Sequence, residues 1–366
     1  MGREGQAVVE RLLDWYAEHQ RDLPWRRSGD AYAVWVSEIM LQQTRVDTVI
    51  PYFERFLARF PTVEALARAP LQDVLKAWEN LGYYSRARNL HQAAREVVAR
   101  FSGEIPQDRE ALRSLPGIGP YTAAAILSFA FGKPEATVDG NVRRVLCRVF
   151  GIQDPVDRAP GLRAVEARAG DLVPEDRPGD FNQALMDLGS SVCTPRAPRC
   201  SACPLQGLCA AEEDGDPEAL PVKEKRKPVP RRLAVAGVIQ DSRGRLLVVK
   251  RADQGLLGGL WKLPGGEVGP GEDPARALEE RIHAEVGIRV RAEKEPAATV
   301  EHVYSHFRLT LQAHVCRRLE GRPRAGDCDG WQWVEGPEWG GLPFSRADRK
   351  VLEGLGTGLR IKRGKG

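Results

Sequence analysis

Four cysteines crowd into one short segment, Cys193, Cys200, Cys203 and Cys209, spaced C-x6-C-x2-C-x5-C. Four thiolates in one compact loop suit a tetrahedral metal or a cubane iron–sulfur cluster. Zinc is the runner-up, although zinc ribbons built from four cysteines usually carry two C-x2-C pairs and this segment has one. Two carboxyl groups elsewhere also invite chemistry. Glu38 is the single charged residue of the largely apolar run AYAVWVSEIMLQQT, and Asp139 stands just ahead of a helix in TVDGNVRRVL. Taken singly, Glu38 could mark a polar stripe with Ser37, Gln42 and Arg45, and Asp139 could be a helix cap. Taken together, they suit cleavage of an N-glycosidic bond, in which one carboxyl group protonates the departing base and another stays ionised beside the cationic sugar. Apolar surroundings raise a carboxyl pKa and fit Glu38 to be the acid. A helix start favours the charged form and fits Asp139 to be the anion.

The elements that must hold these residues read as follows. From residue 6 to about 190 the apolar spacing is helical and strand signals are nearly absent, which predicts an all-α domain of many short helices. Pro51 is expected to bend one of these helices, and Thr62 to cap the next. In LPGIGP, residues 115 to 120, Gly117 and Gly119 permit a tight turn into the alanine-rich helix YTAAAILSFAF. Backbone N–H groups there, beside a helix N-terminus, make a cradle for phosphate. Residues 212–230 turn acidic, then basic and proline-rich, and predict an extended, solvated linker whose Lys223, Lys225, Arg226 and Lys227 are placed to touch phosphates. Beyond it the period changes to strands. LAVAGVIQ and RLLVVKR flank the turn DSRG as a hairpin, a helix follows over 273–286, and more strands come after it. The second domain, 231–360, is therefore α+β, with a disordered tail.

The chain has 366 residues, is 42% hydrophobic and 28% charged, and carries a net charge of +4. These values predict two globular domains and permit nucleic-acid binding without demanding it. No run has the length of a membrane span and the N-terminus lacks a signal-peptide core. The expected setting is the cytoplasm, bacterial and nucleoid-associated, where seven cysteines are poor candidates for disulfides.

The cysteine spacing matches the [4Fe–4S] loop of the endonuclease III and MutY family. With VSEIMLQQT, NLGYYSRARNL, LPGIGPYTAAAILS, VDGNV and FNQALMDLG, the first domain resembles the helix-hairpin-helix, iron–sulfur DNA glycosylases along its length. With the second domain the whole chain resembles the MutY-type adenine DNA glycosylases, which flip adenine out of duplex DNA when it is mispaired with 8-oxoguanine or guanine. The resemblance implies Glu38 as the acid that protonates adenine N7, Asp139 as the ionised partner and Asn141 as the amide that holds it. It implies a contact from Tyr121 to the sugar, and places Gln43, Thr44, Leu81 and Tyr83 at or beside the lesion pair, with Arg26 and Gln183 lining the adenine pocket. It further implies a [4Fe–4S] cofactor, duplex DNA as partner and a monomeric, membrane-free enzyme. In the endonuclease III branch the residue at the place of Tyr121 is a lysine, whose amine forms a Schiff base and enables strand cleavage. A phenol forms no imine, so hydrolysis to an abasic site is expected.

Residues 265 to 288 resemble the Nudix box of the MutT family through Gly266, Glu272, Ile282, Glu285, Gly287 and Ile288. Glu280–Arg281 stands where the box wants Arg-Glu, and Ala284 where it wants the first of two glutamates, so pyrophosphohydrolase activity is not expected. VYSHF, residues 303 to 307, matches the loop whose serine and histidine probe 8-oxoguanine, here Ser305 and His306. Two other readings compete: an endonuclease III-like lyase, disfavoured by Tyr121 and the extra domain, and a non-catalytic lesion-binding protein, disfavoured by the two carboxylates.

Overall fold

The computed structural model describes residues 2–224, 229–255, 257–304 and 306–356. By contacts the chain divides into two compact units, Met1–Arg68 with Asn89–Arg226, and Ala69–Arg88 with Lys227–Gly366.

The described part of the first unit is helical. Along the chain come α1 (Arg3–His19), α2 (Ala31–Leu41), α3 (Val46–Arg59), α4 (Val63–Arg68), α5 (Leu71–Ala77) and α6 (Tyr84–Phe101). Next are α7 (Arg109–Arg113), α8 (Pro120–Phe131), α9 (Gly140–Val149), α10 (Ala159–Leu172), α11 (Pro178–Ser191) and α12 (Ala210–Glu213). Of these, α5 and the start of α6 belong to the second unit. Two helices are apolar nearly all round, as central helices must be: α2 is buried from Tyr32 to Met40, and α8 from Thr122 to Ser128. The two pack together, and the alanines at 123–125 let them do so closely. A second apolar cluster joins Val8, Leu12 and Tyr16 of α1 to Val145, Leu146, Phe181, Leu185 and Leu188 of α9 and α11. Pro51 lies within a continuous α3, and Thr62 caps the next helix by accepting from the Ala65 N–H at 3.2 Å.

Between α7 and α8 the chain reverses in one turn. Gly117 has φ +79°, and a Cβ there would lie 2.8 Å from that of Asn89, so only glycine fits. Gly119 then caps α8, whose next residue is the favoured N1 proline, Pro120. The segment after the cysteine loop exposes residues 213–216 and 218–219 but is anchored at residues 211 and 220–222. Leu220 is buried in the apolar cluster and Val156 N–H donates to Val222 O at 3.1 Å, because apolar side chains here outweigh the acidic composition around them. Lys223 is exposed, whereas Lys225, Arg226 and Lys227 lie outside the described residues, as does the tail.

The second unit is two sheets with helices. Its strands are β1 (Arg231–Val238), β2 (Leu246–Lys250), β3 (Trp261–Lys262), β4 (Gly265–Glu267), β5 (Arg289–Ala292), β6 (Ala298–Val303), β7 (Arg308–Glu320) and β8 (Gly330–Val334). One sheet runs β4-β1-β7-β5 with β6 also on β7, and the other runs β3-β2-β8. Alternation sorts the side chains. Ala234, Ala236 and Val238 of β1 and Leu246 and Val248 of β2 join one core with α14 (Arg346–Gly356). Val235, Leu247 and Val249 join the other with α13 (Pro274–Val286). The strands are apolar on both faces because both faces are covered. The expected hairpin forms at its base, where Leu247 N–H donates to Ile239 O at 3.0 Å and Gln240 bridges Leu246, but it extends no further. The turn forms, with Asp241 N–H donating to Arg245 O at 3.0 Å, but beyond it β1 pairs with β4 and β7 while β2 pairs with β3 and β8. Local pattern fixed the turn and two-sided burial drew the strands apart.

Residues 69–88 join this unit through hydrogen bonds. Gln72 Nε2 donates to Gly259 O at 2.9 Å and Arg88 to Gly258 O at 2.7 Å.

Candidate active site

A cleft of about 670 Å³ in the first unit brings together Arg26, Glu38, Gln43, Thr44, Tyr121, Asp139, Asn141 and Gln183. Glu38 rises from the middle of α2 and is 5% exposed. Its Oε2 accepts from the Tyr121 hydroxyl at 2.8 Å. Burial pushes the Glu38 carboxyl up to about 7; the Tyr121 bond pulls the other way, the nearby Asp139 adds to the rise and Arg26 opposes it. Tyr121 leaves the glycine turn on the first turn of α8, and burial holds its phenol well above the ordinary value.

Asp139 is indeed the cap of α9, accepting from Asn141 N–H at 2.9 Å and Val142 N–H at 2.7 Å through Oδ1. Its Oδ2 accepts from the Asn141 amide at 3.0 Å. Burial raises Asp139 above the usual aspartate value, and these three donors together with Arg144 restrain the rise. Burial thus raises both carboxyls: Glu38 holds a proton near neutrality, and at Asp139 the donors that favour its charge restrain the rise.

Three residues that sequence spacing did not single out complete the site. Arg144 donates to Asn141 Oδ1 at 3.0 Å, to Gly189 O at 2.6 Å and to Cys193 O at 2.8 Å. Gly189 lies so close that a Cβ would sit 2.7 Å from that of Asn141. Asp187 grips Arg26 in a two-pronged pair at 2.7 and 3.0 Å. The only sequence signal for Asp187 and Gly189 was their place in FNQALMDLG, and Arg144 was hidden beside Arg143.

Cys193, Cys200, Cys203 and Cys209 line one cavity with Val145, Val149, Leu188 and Leu205, and none of the four is in a disulfide. Arg148, 1% exposed, donates to Cys193 Sγ at 3.3 Å and to Thr194 O at 2.8 Å. Four soft donors around one apolar cavity, faced by a buried guanidinium that balances thiolate charge, fit an iron–sulfur cluster.

Leu81, Tyr83 and His306 fall in the second unit, where they line a cleft of about 220 Å³ with His302, Tyr304 and Arg346. Ser305 lies outside the described residues. Gln43 and Tyr83 have φ of +57° and +48°, a strained region for side-chain-bearing residues that is concentrated at functional loops.

The Nudix-like segment is differently disposed. Glu285 takes the Lys262 ammonium at 2.5 Å and the Gly265 N–H at 2.8 Å, and Glu272 takes Gly269 N–H and Arg281 at 2.9 and 3.1 Å. Glu279 caps Ala292 N–H and Glu280 pairs with Arg276. Carboxylates so committed to cations do not fit a magnesium site.

The sequence matches three family profiles: an HhH-GPD superfamily base excision DNA repair protein over residues 36–169, the iron–sulfur binding domain of endonuclease III over 193–209, and a NUDIX domain over 235–354. It is 38% identical to the adenine DNA glycosylase of Homo sapiens, over 93% of this chain and 72% of that protein. To the adenine DNA glycosylase of Arabidopsis thaliana it is 35% identical, over 95% of this chain and 64% of that protein. Among solved structures, a thermostable thymine-DNA glycosylase aligns with a TM-score of 0.53 and 32% identity, covering 58% of this chain and 98% of that one. Endonuclease III in a non-covalent DNA complex aligns with a TM-score of 0.50 at 23% identity, over 59% of this chain and 99% of that one, and shares the fold. No described helix is long and apolar enough to cross a membrane. The helix-hairpin-helix, iron–sulfur and NUDIX matches follow one another along the chain, and with the likeness to these relatives over most of its length they show that the chain belongs to the adenine DNA glycosylase family.

Proposed function

We propose that this enzyme excises adenine mispaired with 8-oxoguanine or guanine in duplex DNA, acting on a base rotated out of the stack, and leaves an abasic site with the strand intact. The observation that carries the reading is the buried Glu38, hydrogen-bonded to Tyr121 and electrostatically coupled to Asp139. Because Tyr121 donates to Oε2, the acidic proton belongs on Oε1, from which it passes to N7 of the departing adenine. Asp139, held by Asn141 and two backbone N–H groups, faces the positive charge that develops on the sugar, and water completes the hydrolysis. Among the described residues the cleft is lined by no lysine. Lys133, past the far end of α8, donates to Gln107 O instead. Without an amine no Schiff base forms, which favours a monofunctional enzyme.

The iron–sulfur cluster, when bound, supplies a cross-link among four thiolates and a one-electron couple, and base hydrolysis consumes no electrons. Backbone N–H groups at Gly117 and Gly119 serve the DNA phosphates, and the cleft of Leu81, Tyr83 and His306 serves the base opposite adenine, with Ser305 assigned there by resemblance. The enzyme acts as a monomer.

Single-turnover assays on duplexes with adenine opposite 8-oxoguanine, adenine opposite guanine, or an oxidised pyrimidine test this. Expected are alkali-labile but unbroken products from the two adenine duplexes, fastest opposite 8-oxoguanine, and no adduct on borohydride addition. Borohydride trapping together with strand nicking at the oxidised pyrimidine would establish a lyase; binding without excision would establish a lesion-binding protein.

A further inference from the structure

Arg26 poses a problem for an acid that must keep its proton. It lines the same cleft as Glu38, and its positive charge favours ionised Glu38. The structure answers with Asp187, from α11. Its two oxygens take NH1 and NH2 of Arg26 at 2.7 and 3.0 Å, and its side chain is 3% exposed. A third contact runs from NH1 to Arg21 O at 3.3 Å, and Arg21 N–H donates to Asp187 Oδ2 at 3.2 Å. The Tyr16 ring lies 5.9 Å from the guanidinium carbon. A guanidinium has five N–H donors, and these contacts commit three of them. The other two, on Nε and NH2, remain on a fork that cannot swing.

We propose that Asp187 is a positioning residue for adenine excision: it fixes Arg26 so that its spare donors serve the acceptor nitrogens of the purine, and it cancels the charge that would otherwise draw the proton from Glu38. This rests on Glu38 being the acid. The other charged or titratable groups facing the cleft are Arg21, Tyr121, Asp139 and Arg143. Tyr121 donates to Glu38 and Asp139 repels its charge, so the Arg26–Asp187 pair is the element through which an unmasked cation would reach it.

The experiment measures single-turnover excision of adenine opposite 8-oxoguanine from pH 5.5 to 9, with duplex affinity and thermal unfolding recorded for each variant. Asp187→Asn keeps the shape and removes the charge. Its rate is expected to fall roughly 10- to 100-fold while duplex affinity stays within about threefold. The pH at which the rate declines is expected to move down by about half a unit or more, because an unmasked guanidinium favours ionised Glu38. Asp187→Glu restores the parent's pH profile. Asp187→Asn with Arg26→Met also returns the decline to the parent's pH, since no cation is left to unmask. This double variant decides the matter if the single one does not fold. A slower Asp187→Asn whose profile stays put, with no rescue by glutamate, makes Asp187 a packing residue and overturns the proposal, as does an unchanged rate. Glu38→Gln in parallel keeps the two claims apart: retained excision there removes the acid assignment itself, whereas a dead Glu38→Gln beside an unshifted Asp187→Asn removes only the role of Asp187.

Discussion

Each unit contains a carboxylate with a cation in reach, and the two have been treated in opposite ways. Glu285 of the second unit is bonded to the Lys262 ammonium and a backbone N–H, and its oxygens are committed to those donors. Glu38 of the first unit is buried more deeply, but the nearby cation is bonded to Asp187 and its own partner is a phenol. The lesson is physical. A carboxylate bonded to a cation becomes part of a structural ion pair, whereas Glu38, bonded to a phenol while Asp187 clasps the cation, is pushed up to about 7 by burial.

The comparison breaks first if Glu38 is dispensable. Glu38→Gln should lower single-turnover adenine release by at least about 10²–10⁴-fold, the usual worth of a general acid, while gel-shift affinity for the mispaired duplex persists. Release within tenfold of the parent would place the acid elsewhere. Next in size, Lys262→Met should strand the Glu285 charge and cost about 3–5 kcal/mol of stability in denaturant unfolding. Adding Glu285→Gln should recover most of it, since the pair is structural; no recovery would mean that Lys262 acts through other partners.

The third test turns on pH. Glu38 is pushed to about 7 in the fold against about 4.5 unfolded, so the folded state binds the extra proton between those values. Its contribution is fully present below about 4.5 and is lost as pH rises through about 7. Relative to Glu38→Gln, the parent should lose on the order of 3 kcal/mol of folding stability across that window. Parallel stability curves for parent and variant would show that Glu38 is not desolvated. The smallest expected effect is at the other cleft. His306→Ala should cost roughly 1–3 kcal/mol of preference for 8-oxoguanine over guanine opposite adenine, read from paired affinities, with little change in excision rate at saturation. Equal preference in parent and variant would move lesion reading away from that loop.

The sequence made the two carboxyls, the cysteine loop and the glycine turn legible, because each is local: a lone charge in an apolar helix, a spacing, a dipeptide. Helix α13 was legible to within a residue, since Asp273 and Gly287 punctuate it at both ends. What escaped was long-range. Arg26 and Asp187 are 161 positions apart, and no period or cap links them. The ion pair of Glu285 escaped in the same way, since Lys262 lies in a two-residue strand with no motif of its own. The hairpin at 241–244 is legible only next to its turn, because the two cores decide the pairings beyond it.

The Arg26–Asp187 clasp also bears on synthesis. A ribosome that has released the chain only as far as α9 has already delivered Glu38, Tyr121 and Asp139, but α11 is still inside. The clasp on Arg26 and the bond from Arg144 to Cys193 O can form only once the segment carrying Asp187 and Cys193 has been made. The carboxyl pair is thus translated well before the anion that clasps Arg26, 161 positions after it.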